Sequence, residues 1–193
     1  MWESLLEIDR ELLKLLNNSF LNNIPEFWEF ITHPERSIPI FLFFSFLLYK
    51  QYNKPESYYL IVCLPVIAGI TLFITNLVKN AVERLRPSNE PVLLDSILIS
   101  QRPENFSFWS GHSAVSFAVT FFVYLMLFGP TKNHFLKLLF LWPILFALSR
   151  IMVGVHYPAD VIVGAIAGSI LGCLGYKLAL YYTRKSKTIT HRQ

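Results

Sequence analysis

Charge is scarce in this chain. Charged side chains make up 16% of its 193 residues, against about 25% in an ordinary soluble domain. Apolar residues fill the gap at 53%, which excludes a typical soluble globular protein and points to a membrane. Cysteine is almost missing: Cys63 and Cys173 both lie inside apolar runs. No disulfide framework or cysteine-held metal is therefore expected, and plain packing is the better reading of both. A secretory signal is not expected here either, since Glu3, Glu7, Asp9 and Glu11 stand where one would carry positive charge. Glycine is down to eight residues, so any regular spacing among them carries meaning. No linker, low-complexity tract or repeat divides the chain, and one domain over residues 1–193 is expected.

What is abundant is long apolar sequence. Tyr58–Val82, Ser113–Phe128, Phe135–Val155 and Val161–Tyr182 approach or exceed the roughly 20 residues that cross a bilayer. Ile38–Tyr49 is shorter, about 12 residues or roughly 18 Å as a helix. It spans only if Ser37, Lys50 and Tyr52 snorkel or the bilayer thins. In the N-terminal segment, residues 1–36, Trp2, Leu5, Leu6, Leu12, Leu13 and Leu16 recur at helical spacing opposite Glu3, Glu7, Arg10, Lys14 and Asn17. That amphipathic helix either lies on the membrane or docks on the bundle. The expected fold is all-α: an integral-membrane helical bundle with about five transmembrane helices plus an N-terminal amphipathic helix. Pro143 is expected to bend the span Phe135–Val155.

With five spans, Lys50, Lys54, Lys132, Arg184, Lys185, Lys187 and Arg192 share a side with one acid, Glu56, and every other acidic residue lies opposite. The positive-inside rule puts the C-terminus in the cytoplasm and the 83–109 and 150–160 loops outside.

The outer ends of the spans carry a second set of polar residues. Lys79 and Arg86 in "KNAVERLRP" are two helical turns apart and project from one face; either alone would read as a snorkelling anchor. In "FWSGHS", Ser110, Gly111 and His112 open a span, offering an anion a hydroxyl and free amides. Simple N-capping by Ser110 explains that stretch equally. In "SRIMVGVHYPAD", His156 and Asp160 are one turn apart. Asp160 would take a proton of one imidazole nitrogen and leave the other as a nucleophile, and a purely structural pair stands at even odds with that. Together, Lys79, Arg86 and Arg150 with the two histidines suit a phosphate, one histidine attacking phosphorus and the other protonating the leaving oxygen. Asp95 and Asp160 form no carboxylate cluster for a metal.

These motifs resemble those of the type 2 phosphatidic acid phosphatase superfamily, which shares its site with vanadium haloperoxidases. Lys79, Arg86 and Pro87 match its first motif, and Ser149, Arg150, His156 and Asp160 its third. Ser110, Gly111 and His112 match its second, with Trp109 where the family has proline. The resemblance implies that His156 attacks phosphorus and forms a phosphohistidine, that Asp160 orients it and that His112 is the general acid. Lys79, Arg86, Ser110, Gly111 and Arg150 would hold the phosphoryl oxygens, with no metal or cofactor.

The spans exclude a soluble haloperoxidase. The expected activity is hydrolysis of a lipid phosphate or diphosphate at the outer face of a bacterial inner membrane. Undecaprenyl diphosphate, phosphatidylglycerol phosphate, phosphatidic acid and lipid A 1-phosphate all remain open as substrates. Membrane lipids are the expected surroundings and nucleic acid is not an expected partner. The competing reading is a transporter or flippase that binds lipid phosphate without cleaving it. Asp160, Gly164, Gly168 and Gly172 recur every four residues, so that face of the last span should meet another helix closely. The apolar run at residues 92–99 reads either as an interfacial segment or as a hydrophobic plug.

Overall fold

The computed structural model describes residues 2–190. Among them seven α-helices follow in order: α1 (Trp2–Asn17), α2 (Pro25–Thr32), α3 (Ile38–Gln51), α4 (Lys54–Val82), α5 (Gly111–Thr131), α6 (Leu141–Met152) and α7 (Pro158–Thr190). The all-α expectation holds. Arg192, counted above with the basic tail, lies outside the described residues. Proline sets several starts: Pro25, Pro39 and Pro55 occupy the first positions of α2, α3 and α4, and Pro158 opens α7. A missing N–H costs nothing there, because first-turn amides have no helical partner.

Among the described residues, Lys54–Leu93, Gly111–Gly129, His134–Met152 and Pro158–Thr183 are long and apolar enough to cross a membrane. α3 is a shorter fifth helix of 14 residues. It still joins both ends of the bundle. Its start follows Pro34, which lines the site described below. At its other end the Tyr52 hydroxyl donates to the Met126 carbonyl at 2.7 Å, near the end of α5. The protein is an integral-membrane helical bundle.

One expected span is built differently. Residues 134–140 form a 3-10 turn and α6 begins only at Leu141, which places Pro143 in its first turn. Pro143 therefore does not bend a continuous helix. It sits where no amide donor is required.

The interior follows membrane rules, in which close approach of small residues replaces a hydrophobic drive between helices. A Cβ on Gly164 would meet the Ser110 carbonyl oxygen at 2.6 Å, and one on Gly168 or Gly172 would collide with the carbonyl of Ala114 or Ala118. α7 thus lies backbone to backbone on α5. On its opposite face Ile162, Ile166, Ile170, Leu174 and Leu178 are exposed, the stripe that meets lipid. α5 is the central helix, and its Val119, Phe122 and Met126 pack with Phe44 and Leu48 of α3 and Leu60 and Leu64 of α4.

α1 docks on the bundle at the end where α6 stops and α7 starts. The face it buries differs from the expected one. Leu13 is buried as anticipated, but so are Asp9 and Asn17, while Leu5 and Leu12 are exposed. By its spacing Asn17 belongs to the polar outer face. Its amide instead donates to the carbonyls of Leu98, Ile151 and Met152 at 3.1, 3.0 and 2.9 Å, and its oxygen accepts from the Leu98 amide. A buried polar group is stable when fully partnered, and hydrophobic periodicity does not detect that. In the 92–99 run, Leu93 and Ile97 are buried against Leu13 and Ile151, while Val92 and Leu98 are exposed. The run is mainly a plug beneath α1.

Candidate active site

Each candidate residue is set at the end of a helix. Lys79 lies in the last turn of α4, Arg86 just beyond it and Gly111 and His112 in the first turn of α5. Arg150 sits near the end of α6, His156 in the following turn and Asp160 in the first turn of α7. Two backbone ties bring these ends together. Ser110 N–H donates to the Asp160 carbonyl at 3.0 Å, and Ser113 Oγ donates to the Val161 carbonyl at 2.7 Å. Gly154, at φ +73°, lets the His156 turn press against Leu98, whose carbonyl a Cβ would meet at 2.5 Å.

Lys79, Arg86, Gly111, His112, Arg150 and His156 all line one cavity of about 270 Å³. Thr75, Asn76 and Asn105 add polar groups to its wall, while Leu72, Val115 and Phe146 form an apolar side. The cations are braced by backbone. Lys79 Nζ donates to the carbonyls of Phe106 at 2.5 Å and Ser107 at 3.1 Å. Arg86 donates to the Asn105 carbonyl and side-chain oxygens at 2.8 and 2.7 Å and to the Val155 carbonyl at 2.8 Å. Arg150 donates to Thr32 Oγ1, and its buried Nε has no hydrogen-bond partner among the described residues. That N–H and the opening amides of α5, which no helical carbonyl can pair, are donors suited to an anion.

The contacts of His156 define its tautomer. Arg86 Nη1 lies 3.1 Å from Nε2, and a guanidinium can only donate. Nε2 must therefore be the acceptor, which leaves the proton on Nδ1, 3.3 Å from Asp160 Oδ2. Burial holds the imidazole well below its ordinary pKa, and Arg86, Lys79, Arg150 and Arg84 push in the same direction. A neutral ring with its Nε2 lone pair on the cavity side is the form a nucleophile needs.

Two expected residues do not face the cavity. Asp160 lies behind His156, fully buried, with Oδ2 3.3 Å from the ring's Nδ1. Ser110 is also buried, and its hydroxyl caps α5 by accepting from Ser113 N–H at 3.4 Å. Here the capping geometry is the one adopted. Trp109, in place of proline, follows a cis peptide bond and donates its indole N–H to Thr75 Oγ1 at 2.9 Å, crossing from the loop to α4.

Sequence reasoning missed Ser107 and Arg84. Ser107 Oγ donates to Asp160 Oδ2 and lies 3.3 Å from His156 Nδ1. Arg84 donates to Asp160 Oδ1 at 2.8 Å. Both lie within a few residues of recognised motifs, and only that proximity could have drawn attention to them.

Fixed cations and unpaired amides around a neutral imidazole suit capture and transfer of a phosphoryl group. A membrane phosphatase is the class that this fold and cavity define. The chain belongs to the PAP2 superfamily, whose sequence model matches residues 58–184. It is 30% identical over 199 residues to a lipid A 4′-phosphatase of Bacteroides thetaiotaomicron, covering 98% of this chain and 85% of that one. A lipid A 4′-phosphatase of Porphyromonas gingivalis is 29% identical over 189 residues, covering 93% and 76%. The fold is similar to that of a PAP2-type phosphatidylglycerolphosphate phosphatase from Bacillus subtilis. That match has a TM-score of 0.67 at 18% identity and covers 94% of this chain and 87% of that one.

Proposed function

We propose that this membrane phosphatase cleaves a phosphate monoester from a glycolipid of the lipid A kind, through a phosphohistidine on His156, at the outer face of the membrane. The substrate reading is supported by relatives named lipid A 4′-phosphatase that match along nearly the whole chain. The mechanism rests on one contact above all: Arg86, a phosphate-binding cation, touches the nucleophilic Nε2 itself. An incoming phosphoryl oxygen takes over that arginine and brings phosphorus to the freed lone pair. The P–N bond forms as the ester P–O bond breaks, and His112 gives its proton to the departing alkoxide. Asp160 steadies the positive charge that develops on the His156 ring. Water then attacks phosphorus with His112 as base, breaking the P–N bond and releasing phosphate. The apolar wall of Leu72, Val115 and Phe146 takes the start of the lipid chain.

The acidic loops on the site side and the lysines at the other end support an outward-facing site and a cytoplasmic C-terminus. The test offers bisphosphorylated lipid A, phosphatidic acid, phosphatidylglycerol phosphate and undecaprenyl diphosphate to the purified protein, with products identified by mass. Faster loss of the lipid A 4′-phosphate is expected, and none with His156→Ala. Faster turnover of another lipid would overturn the substrate, and release by His156→Ala would overturn the mechanism.

A further inference from the structure

Arg84 lies just outside the cavity, and its partners place it in the support of the nucleophile. Nη1 donates to Asp160 Oδ1 at 2.8 Å and Nη2 to Asp9 Oδ2 at 2.7 Å. Its guanidinium stacks 3.8 Å over the ring of Tyr157, the neighbour of His156. The two oxygens of Asp160 are thereby divided. Oδ1 is taken by Arg84, and Oδ2 meets His156 Nδ1, Ser107 Oγ and the Tyr157 amide, the last at 3.0 Å. A carboxylate held at both oxygens cannot turn away from the imidazole.

Asp9 does more than hold the arginine. Its Oδ1 accepts from the Ala159 amide at 2.9 Å, in the first turn of α7. It also offsets a charge: Lys79, Arg86 and Arg150 already surround the cavity, and an unbalanced fourth cation on Asp160 would weaken its hold on the positive ring formed during attack. Asp9 belongs to α1, the helix docked through Asn17. A second tie runs the same way, because Glu90 accepts from both Arg10 of α1 and the Tyr157 hydroxyl.

We propose that Arg84, held and balanced by Asp9, is a positioning residue for His156, so that docking of the N-terminal helix is part of the catalytic apparatus. The proposal rests on the reading of His156 as the nucleophile.

The charged and titratable groups facing His156 are Lys79 of α4, Arg84 and Arg86 of the following loop, His112 of α5, Arg150 of α6 and Asp160 of α7, with Asp9 of α1 behind Arg84. Removing Arg84 takes a cation away and leaves Asp160 wholly to the imidazole, so His156 gains a proton more easily. Removing the Asp9 charge has the opposite sign. The test uses the whole chain in detergent micelles with phosphatidic acid as probe. Arg84→Gln and the isosteric Asp9→Asn are each expected to lower kcat by roughly 10–100-fold, as loss of the carboxylates that orient metal-ligating histidines does, with KM little changed. The double variant should lose no more than Arg84→Gln alone, as expected of coupled residues. Relative to the unmodified protein, the acid limb of kcat/KM should move to higher pH in Arg84→Gln and to lower pH in Asp9→Asn. Simple loosening of the fold would not move the limb in opposite directions. If Arg84→Gln does not fold, Asp9→Asn alone carries the test. Unchanged kcat and pH limb in Asp9→Asn, with His156→Ala inactive, would overturn the proposal and leave the nucleophile standing. An active His156→Ala would instead remove the reading beneath it.

Discussion

Replacing His112 with alanine removes an imidazole that rests against the Phe146 ring, 5.0 Å between centroids. The ring makes no hydrogen bond among the described residues and borders an open cavity, so its loss strands no buried partner. The effect should fall on chemistry and spare folding. A general acid contributes about 10²–10⁴-fold, or about 3–5 kcal/mol at 1.36 kcal/mol for each tenfold. That whole factor applies when the leaving group is an alkoxide, a base nearly as strong as hydroxide. It shrinks when the leaving group is a lipid phosphate, whose second pKa is about 6, since such an anion departs without a proton. His112→Ala should therefore lose about 10²-fold or more on lipid A or phosphatidic acid, and far less on undecaprenyl diphosphate or an aryl phosphate. His156→Ala should be inactive on all of them. The assay measures phosphate release at saturating substrate, with chemistry shown to be rate-limiting. An equal loss on every substrate would refute the acid role and leave His112 as a phosphate-binding group.

Phosphate from labelled substrate should be trappable on the unmodified protein in an acid-labile, base-stable form, and its absence under single-turnover conditions would contradict the phosphohistidine. Because burial and the neighbouring cations hold His156 well below its ordinary pKa, kcat/KM corrected for substrate ionisation should show no inflection near pH 6.5. The same shift makes stability fall as pH drops through that value, since the unfolded chain takes up a proton that the folded one refuses; an inflection in rate there would refute the neutral resting ring. Excess chelator should leave activity intact and vanadate should inhibit, whereas loss on chelation restored by magnesium would overturn the metal-free mechanism. In a background without Cys63 and Cys173, Asn89→Cys should react with an impermeant thiol reagent on intact cells and Lys54→Cys should not; the reverse pattern would invert the topology. Gly168→Ala drives a Cβ onto the Ala114 carbonyl, so thermal unfolding should report a loss of about 1–3 kcal/mol, and an unchanged Tm would contradict the close α5–α7 seam.

The long spans were legible because twenty apolar residues in a row have few other uses. The glycine spacing at 164, 168 and 172 carried the α5–α7 contact for a related reason: few residue types allow that approach. The cavity was legible where its residues are charged and stand at helix ends. What escaped was polar burial that depends on distant partners. Asn17 reads as surface until Ile151 and Met152 supply its acceptors, and Arg84 reads as a solvated neighbour of Arg86 until Asp9 and Asp160 close on it. Ser107 is an ordinary loop serine by composition, and only the turn that returns His156 beside it shows otherwise. The 3-10 start of the span His134–Met152 escaped because 3-10 and α segments share an apolar composition, and Pro143 fits either a bend or a first turn.

α3 has one more consequence. Its 14 residues span about 21 Å, well short of the roughly 30 Å hydrocarbon layer. Such a mismatch is relieved by snorkelling of the flanking residues, by oligomerisation or by thinning of the bilayer around the short helix. Pro34, just before α3, is also part of the cavity wall. Where the bilayer thins to match α3, its surface dips beside the cavity, and lipid headgroups there ride lower than elsewhere around the protein. There a lipid phosphate would come closer to the level of Lys79 and Arg86 while its acyl chains stay in the bilayer. A short helix beside the cavity would in that way shorten the distance the substrate has to climb.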